Sequence, residues 1–146
     1  MITIRSLETK DIDLLVLEYI KYFNLKENMT WNIETATKNL RQLIIREDFL
    51  GLIMLKENDL VGFACGQLSQ FDDGIVYELN ELFISLDYQH HGYGSILLNE
   101  VEDLARKNGC FRIQLITAND KNHNHFYDEL HGFVTGTNNI IKTKAL

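Results

Sequence analysis

The chain has 146 residues, with 14 Lys and Arg against 21 Asp and Glu, a formal net charge of -7. With no basic stripe, that balance argues against nucleic acid as a partner. A hydrophobic fraction of 45% and a charged fraction of 24% are those of an ordinary soluble globular chain, and no apolar run reaches the roughly 18 residues of a membrane span. The start, Met1-Ile2-Thr3-Ile4-Arg5, lacks the apolar core of a signal peptide, so a cytoplasmic protein is expected. There is room for one domain, residues 1–146, without repeat, linker or proline. Cys65 and Cys110 each sit in an apolar strand-like run and read as buried thiols rather than a disulfide framework.

In chain order, residues 2–5 predict a first strand. The apolar spacing of Leu14, Leu15 and Leu17 after Asp11 predicts a helix over about 10–23, and a second helix is expected over about 33–46. Residues 49–56 and 60–70 are apolar strand runs separated by the turn Glu57-Asn58-Asp59. Asp72-Asp73-Gly74 is a second turn, leading into a strand over about 75–85. Leu97, Leu98, Val101, Leu104 and Ala105 then recur at helical spacing, with Arg106 and Lys107 in the last turn and Gly109 as C-terminal cap. A strand over 111–117, a helix over about 120–131 and a short terminal strand pair or single strand from Phe133 complete an α/β sandwich with a mixed sheet.

Between the third of the serial strands and the most regular helix lies Gln89-His90-His91-Gly92-Tyr93-Gly94-Ser95. Glycines there let the backbone approach a ligand and adopt positive φ, and the opening amides of a helix have no intrahelical partner. With the positive end of the helix dipole added, the segment is suited to a pyrophosphate without a lysine. The dinucleotide fingerprint is excluded because the third glycine is missing. The nucleotide triphosphate loop is excluded because no lysine precedes Ser95.

The segment resembles Gln/Arg-x-x-Gly-x-Gly/Ala, the coenzyme A pyrophosphate loop of the GNAT (GCN5-related) N-acetyltransferases. The likeness continues on both sides, over roughly residues 58–134. Upstream, Tyr77-Glu78-Leu79-Asn80-Glu81-Leu82-Phe83-Ile84 is similar to the family's fourth strand. Downstream, residues 107–115 resemble its helix-to-fifth-strand junction, and His125-Phe126-Tyr127 with Gly132-Phe133 resembles its Phe-Tyr-x-x-x-Gly-Phe block with one extra residue before the glycine. The resemblance implies a GNAT-like fold in the order β-α-α-β-β-β-α-β-α-β, with a mostly antiparallel mixed sheet flanked by helices. It also implies acetyl-coenzyme A as cosubstrate and direct transfer to a primary amine, on a small cationic molecule or an exposed peptide. By the same resemblance, Leu82, Phe83, Ile84, Gln89, His90, His91, Gly92, Tyr93, Gly94, Ser95 and Asn119 contact the cofactor. Tyr127 is then the general acid, and the acceptor is recognised by about residues 22–34, with Tyr22, Phe23 and Trp31.

The general base is Glu81 or Glu78. Three residues apart, they face opposite sides of a regular strand, and a bulge would change the choice; Glu81, beside Leu82-Phe83-Ile84, fits better. Asp120, seven residues before Tyr127, stands where the family's asparagine is expected, with Asn119 just before it. The cluster His123-Asn124-His125 with His131 lacks the further ligands a zinc site needs, so no metal is expected. Residues 57–105 hold ten acids and no Lys or Arg, a field that favours a cationic acceptor. A noncatalytic acyl-coenzyme A sensor on the same fold, transfer of a longer acyl group, and a homodimer are left open.

Overall fold

The computed structural model covers residues 1–146, which fall into two compact units, Met1–Ile116 and Thr117–Leu146. The first unit runs β1 (Ile2–Ser6), a 3-10 turn, α1 (Ile12–Lys26), α2 (Ile33–Ile44), β2 (Phe49–Lys56), β3 (Asp59–Phe71) and β4 (Gly74–Ile84). A second 3-10 turn, α3 (Tyr93–Lys107) and β5 (Cys110–Leu115) follow. The five strands lie side by side in sequence order. Antiparallel pairing links β1 to β4 in series, and β5 runs parallel to β4 because α3 carries the chain back along the sheet.

Side-chain alternation divides this sheet into two faces. Phe63, Cys65 and Phe83 share a buried cluster with Leu15, Val16 and Tyr19 of α1 and Ala36, Leu40 and Ile44 of α2. The buried face of α3, Leu97, Leu98, Val101 and Ala105, lies outside that cluster, so α3 covers the other side of the sheet. Local signals set the helix ends. Asn32 accepts the Thr35 backbone N–H at 2.9 Å while its own N–H donates to Thr35 Oγ1 at 3.1 Å, a reciprocal cap on α2. At the start of α1, Arg5 donates to both carboxylate oxygens of buried Asp11 at 2.9 and 2.8 Å. Arg5 thereby ties β1 to the helix and holds the Asp11 carboxyl below its usual range.

The second unit holds α4 (Lys121–Asn124), which continues into a π-helical turn, His125–Leu130. The terminal strand expected from Phe133 is not formed, and residues 134–146 are exposed without regular structure. The sequence Thr135-Gly136-Thr137-Asn138-Asn139 lacks the alternating apolar run that would hold such a strand to a core.

Candidate active site

The site begins with an irregularity in β4. Cys65 of β3 pairs with Glu81, but the next residue, Gly66, pairs with Leu79, leaving Asn80 as an extra residue. Glycine is needed opposite the bulge, because a Cβ on Gly66 would run into the Glu78 carbonyl oxygen. One inserted residue breaks the alternation, and this corrects the expectation that Glu78 and Glu81 face opposite sides. Glu81 pairs with Cys65 and Glu78 with Gln67, residues two apart on β3, so both glutamates occupy the face covered by α1 and α2. Pairing with β5 also ends at Leu79. From Asn80 to Ile84, β4 is bonded to a neighbouring strand on its β3 side only.

The two carboxylates differ in character. Glu78 accepts from Ser69 Oγ at 2.6 Å, Gln67 Nε2 at 3.0 Å and Gln114 Nε2 at 3.1 Å. These donors, Ser69 first, hold it below the usual carboxylate range. Glu81 accepts one side-chain bond, from the Tyr19 hydroxyl at 2.9 Å. Withdrawal from water pushes its pKa up to about 7, against the opposing pull of Tyr19. Tyr19 is itself buried among Phe23, Trp31, Phe63 and Phe83, with ring centroids 4.5 to 6.3 Å away. Its hydroxyl accepts from Asn39 Nδ2 at 3.2 Å. Of the two candidates, Glu81 is the carboxylate that changes charge near neutrality, as a general base requires.

At the far end of β4 the chain reaches the start of α3. His90 has φ 65 and Gly92, the residue before the helix, has φ 83. A Cβ built on Gly92 would meet nothing within 4 Å, so its backbone faces open space. The first helical bond of α3 runs from Ile96 N to the Gly92 carbonyl. No side chain caps this end, and no acid lies in its first turn, in contrast with the reciprocal cap on α2. Such an end keeps its dipole and its first two amides, those of Tyr93 and Gly94, available to an anion, as a pyrophosphate requires.

The other residues expected at the cofactor divide by what they touch. Gln89 turns back, its Nε2 donating to the Ile84 carbonyl at 2.9 Å, and so ties the loop to the end of β4. Phe83 is buried against Tyr19, Tyr22, Phe23 and Phe63, so its ring belongs to the core. Leu82 and Ile84, on the opposite face by alternation, are half-buried. His90 and His91 are exposed; the His91 ring lies 6.3 Å from Tyr93, which is 6.1 Å from Tyr88. Gly94 and Ser95 lie in the first turn of α3.

In the second unit, the extra residue of the Phe-Tyr block is absorbed by the π turn. A helix closed by a glycine normally bonds back from the two following amides over five and three residues. Here Phe133 N donates to the Tyr127 carbonyl and Gly132 N to the Asp128 carbonyl, each one residue wider. Gly132 supplies the left-handed conformation at φ 72. The Tyr127 ring still packs against Phe126 and Phe133, at 5.0 and 5.4 Å. Asp120 caps α4, accepting from His123 N at 2.8 Å, and Asn119 Oδ1 accepts from Asn124 Nδ2 at 3.0 Å. His123 pairs with Asp120 and His125 with Glu129. No group of three His, Cys, Asp or Glu side chains is arranged to hold a metal.

Three features escaped the sequence. Tyr19 and Asn39 reach the site from elements distant along the chain, and Arg46 donates at 3.1 Å to both Gln67 and Asn80, bringing a cation to the acidic face. Gly66 inside an apolar strand run was the signal that marked the bulge.

Comparison with known proteins fits this architecture. The chain belongs to the acetyltransferase (GNAT) family, whose sequence profile matches residues 15–133. It is 24% identical over 133 residues to the uncharacterized N-acetyltransferase MJ1207 of Methanocaldococcus jannaschii, covering 88% of this chain and 59% of that relative's length. Among solved structures, a possible acetyltransferase from Clostridium difficile 630 superposes with TM-score 0.84 at 15% identity, over 100% of this chain and 99% of that one. The aminoglycoside N-acetyltransferase AAC(6')-Iy, solved in complex with CoA, gives 0.77 at 13% identity, over 100% and 96%. At such identities the structural likenesses establish the fold.

Proposed function

We propose that this chain, residues 1–146 acting as one catalytic domain in the cytoplasm, is an acetyl-coenzyme A dependent N-acetyltransferase. Its acceptor is a primary amine on a small cationic molecule or an exposed peptide. The observation that carries this reading is Glu81, a half-buried carboxylate with its pKa near neutrality, on a strand that opens beyond its bulge toward the uncapped start of α3. Residues 89–95 and the first turn of α3 would hold the pyrophosphate, and Leu82, Ile84 and Asn119 are assigned to the rest of the cofactor. The cosubstrate supplies the acetyl group already activated as a thioester. Glu81, through a water, takes a proton from the acceptor's ammonium so that the nitrogen lone pair is free to attack. The C–N bond forms as the C–S bond breaks, Tyr127 gives its phenolic proton to the departing thiolate, and the second proton shed by the acylated nitrogen restores the phenol through solvent. The role of Tyr127 rests on its place in the Phe-Tyr block.

The direct test is thiol release from acetyl-coenzyme A against polyamines, aminoglycosides, amino acids and peptides. The acidic face predicts that cationic amines are preferred and that their kcat/KM falls as salt rises, since screening acts over about 8 to 10 Å. Binding of coenzyme A without turnover on any amine would instead favour a sensor on the same fold. An anionic best substrate, indifferent to salt, would remove the electrostatic argument.

A further inference from the structure

Glu81 sits beside an inserted residue, where the regular strand no longer fixes the direction of a side chain. Its one side-chain partner, the Tyr19 hydroxyl, comes from α1, 62 residues away in sequence. A hydroxyl has one proton and accepts through its lone pairs, whereas an amide nitrogen only donates. Asn39 Nδ2 therefore occupies an acceptor position of Tyr19 and leaves its proton for Glu81. The surrounding rings of Phe23, Phe63 and Phe83 fix the tyrosine itself.

We propose that Tyr19, oriented by Asn39, is a positioning residue for the general base: it holds the Glu81 carboxylate in place and favours its ionised form. This rests on the assignment of Glu81 as base. The other groups on this face are Cys65 opposite Glu81 on β3, whose buried thiol is pushed up in pKa, Glu78 on β4, and Arg46 after α2, bonded to Gln67 and Asn80. All are kept in the variants below. A hydrogen bond to a charged acceptor is strong enough to move a carboxylate pKa by about one unit, so removing the Tyr19 proton should raise that of Glu81.

The experiment follows the Glu81 carboxyl carbon by NMR titration in the free protein, and kcat/KM against pH with the best amine, in wild type, Tyr19→Phe, Asn39→Ala and Glu81→Gln. Tyr19→Phe is expected to move both midpoints upward by about one pH unit and to lower kcat/KM at pH 7 by up to about tenfold, with recovery at higher pH. Affinity for coenzyme A should not change. Asn39→Ala should move the midpoints the same way by less, and it supplies the answer if Tyr19→Phe does not fold. Loss of the acidic limb in Glu81→Gln with no movement in either partner variant overturns the positioning role while sparing the base. An acidic limb that survives Glu81→Gln overturns the base assignment and this inference with it. A uniform loss of rate at every pH, with midpoints unmoved, would make Tyr19 a packing residue only.

Discussion

Replacing Glu81 by glutamine should make the protein more stable, and more so as pH rises. In the folded chain the Glu81 pKa is pushed from the ordinary 4.5 up to about 7. Because the folded state binds this proton more tightly, the group's contribution to stability is fully present below pH 4.5 and is lost as pH climbs through 7. A shift of about two and a half units corresponds to about 3 kcal/mol in all, of which about 2.5 kcal/mol falls between pH 5 and pH 8. Glutamine has nearly the same shape, keeps an oxygen to accept from Tyr19, and does not ionise. Urea unfolding at pH 5 and pH 8 reads the difference: the gain in stability of Glu81→Gln over wild type should be about 2.5 kcal/mol larger at pH 8. The same variant should lose turnover, so stability and activity would move in opposite directions. An equal effect at both pH values would refute the reasoning, since it would show that Glu81 titrates in the folded chain as it does in water.

Further outcomes follow from other parts of the chain. Gly92→Val places a β-branched residue at φ 83 and should weaken coenzyme A binding at least about tenfold by calorimetry; unchanged affinity in a folded variant would remove the loop from the cofactor site. Tyr127→Phe keeps the ring against Phe126 and Phe133 and removes only the phenolic proton. Turnover should fall by about a hundredfold or more with little change in cofactor affinity, and turnover within about threefold of wild type would assign the residue to packing. Asp11→Ala leaves Arg5 without its bidentate partner and should cost about 2 to 3 kcal/mol in urea unfolding near neutral pH. The Asp11 pKa is depressed, so its contribution stands above the unfolded value of 3.8 and is lost as acid drives pH down through the folded one. The difference between wild type and variant should shrink in acid.

The fold was largely legible because most elements announce themselves by period. Residues 49–84 alternate between apolar runs and the turns at Glu57-Asn58 and Asp72-Asp73, and strands formed at Phe49–Lys56, Asp59–Phe71 and Gly74–Ile84. The loop before α3 was legible from its glycines and took the positive φ expected at Gly92. The bulge was not, since its sequence signal, Gly66 inside an apolar strand run, does not say which residue of the partner strand is the extra one; the pairing of Gly66 with Leu79 and of Cys65 with Glu81 does. Nor were Tyr19 and Asn39, because no local pattern relates α1 and α2 to residue 81. The one-residue surplus of the Phe-Tyr block was visible in the sequence, but that a π turn absorbs it depends on backbone bonds that composition does not reveal.

The bulge at Asn80 makes strand length a matter of parity. Every position from 81 to 84 owes its side of the sheet to one uneven count, and even or odd changes nearby have different fates. Deleting Asn80 would close the bulge and leave Glu81 opposite Cys65, with Glu81 and Phe83 still toward α1 and α2, whereas losing Leu82 from the regularly paired stretch would turn Phe83 toward α3. No substitution at a single position has the latter effect, because a substitution changes what stands at a place and leaves the count intact. The chain is therefore less exposed to the loss of this unpaired, solvent-facing residue than to the loss of any of its regularly paired neighbours.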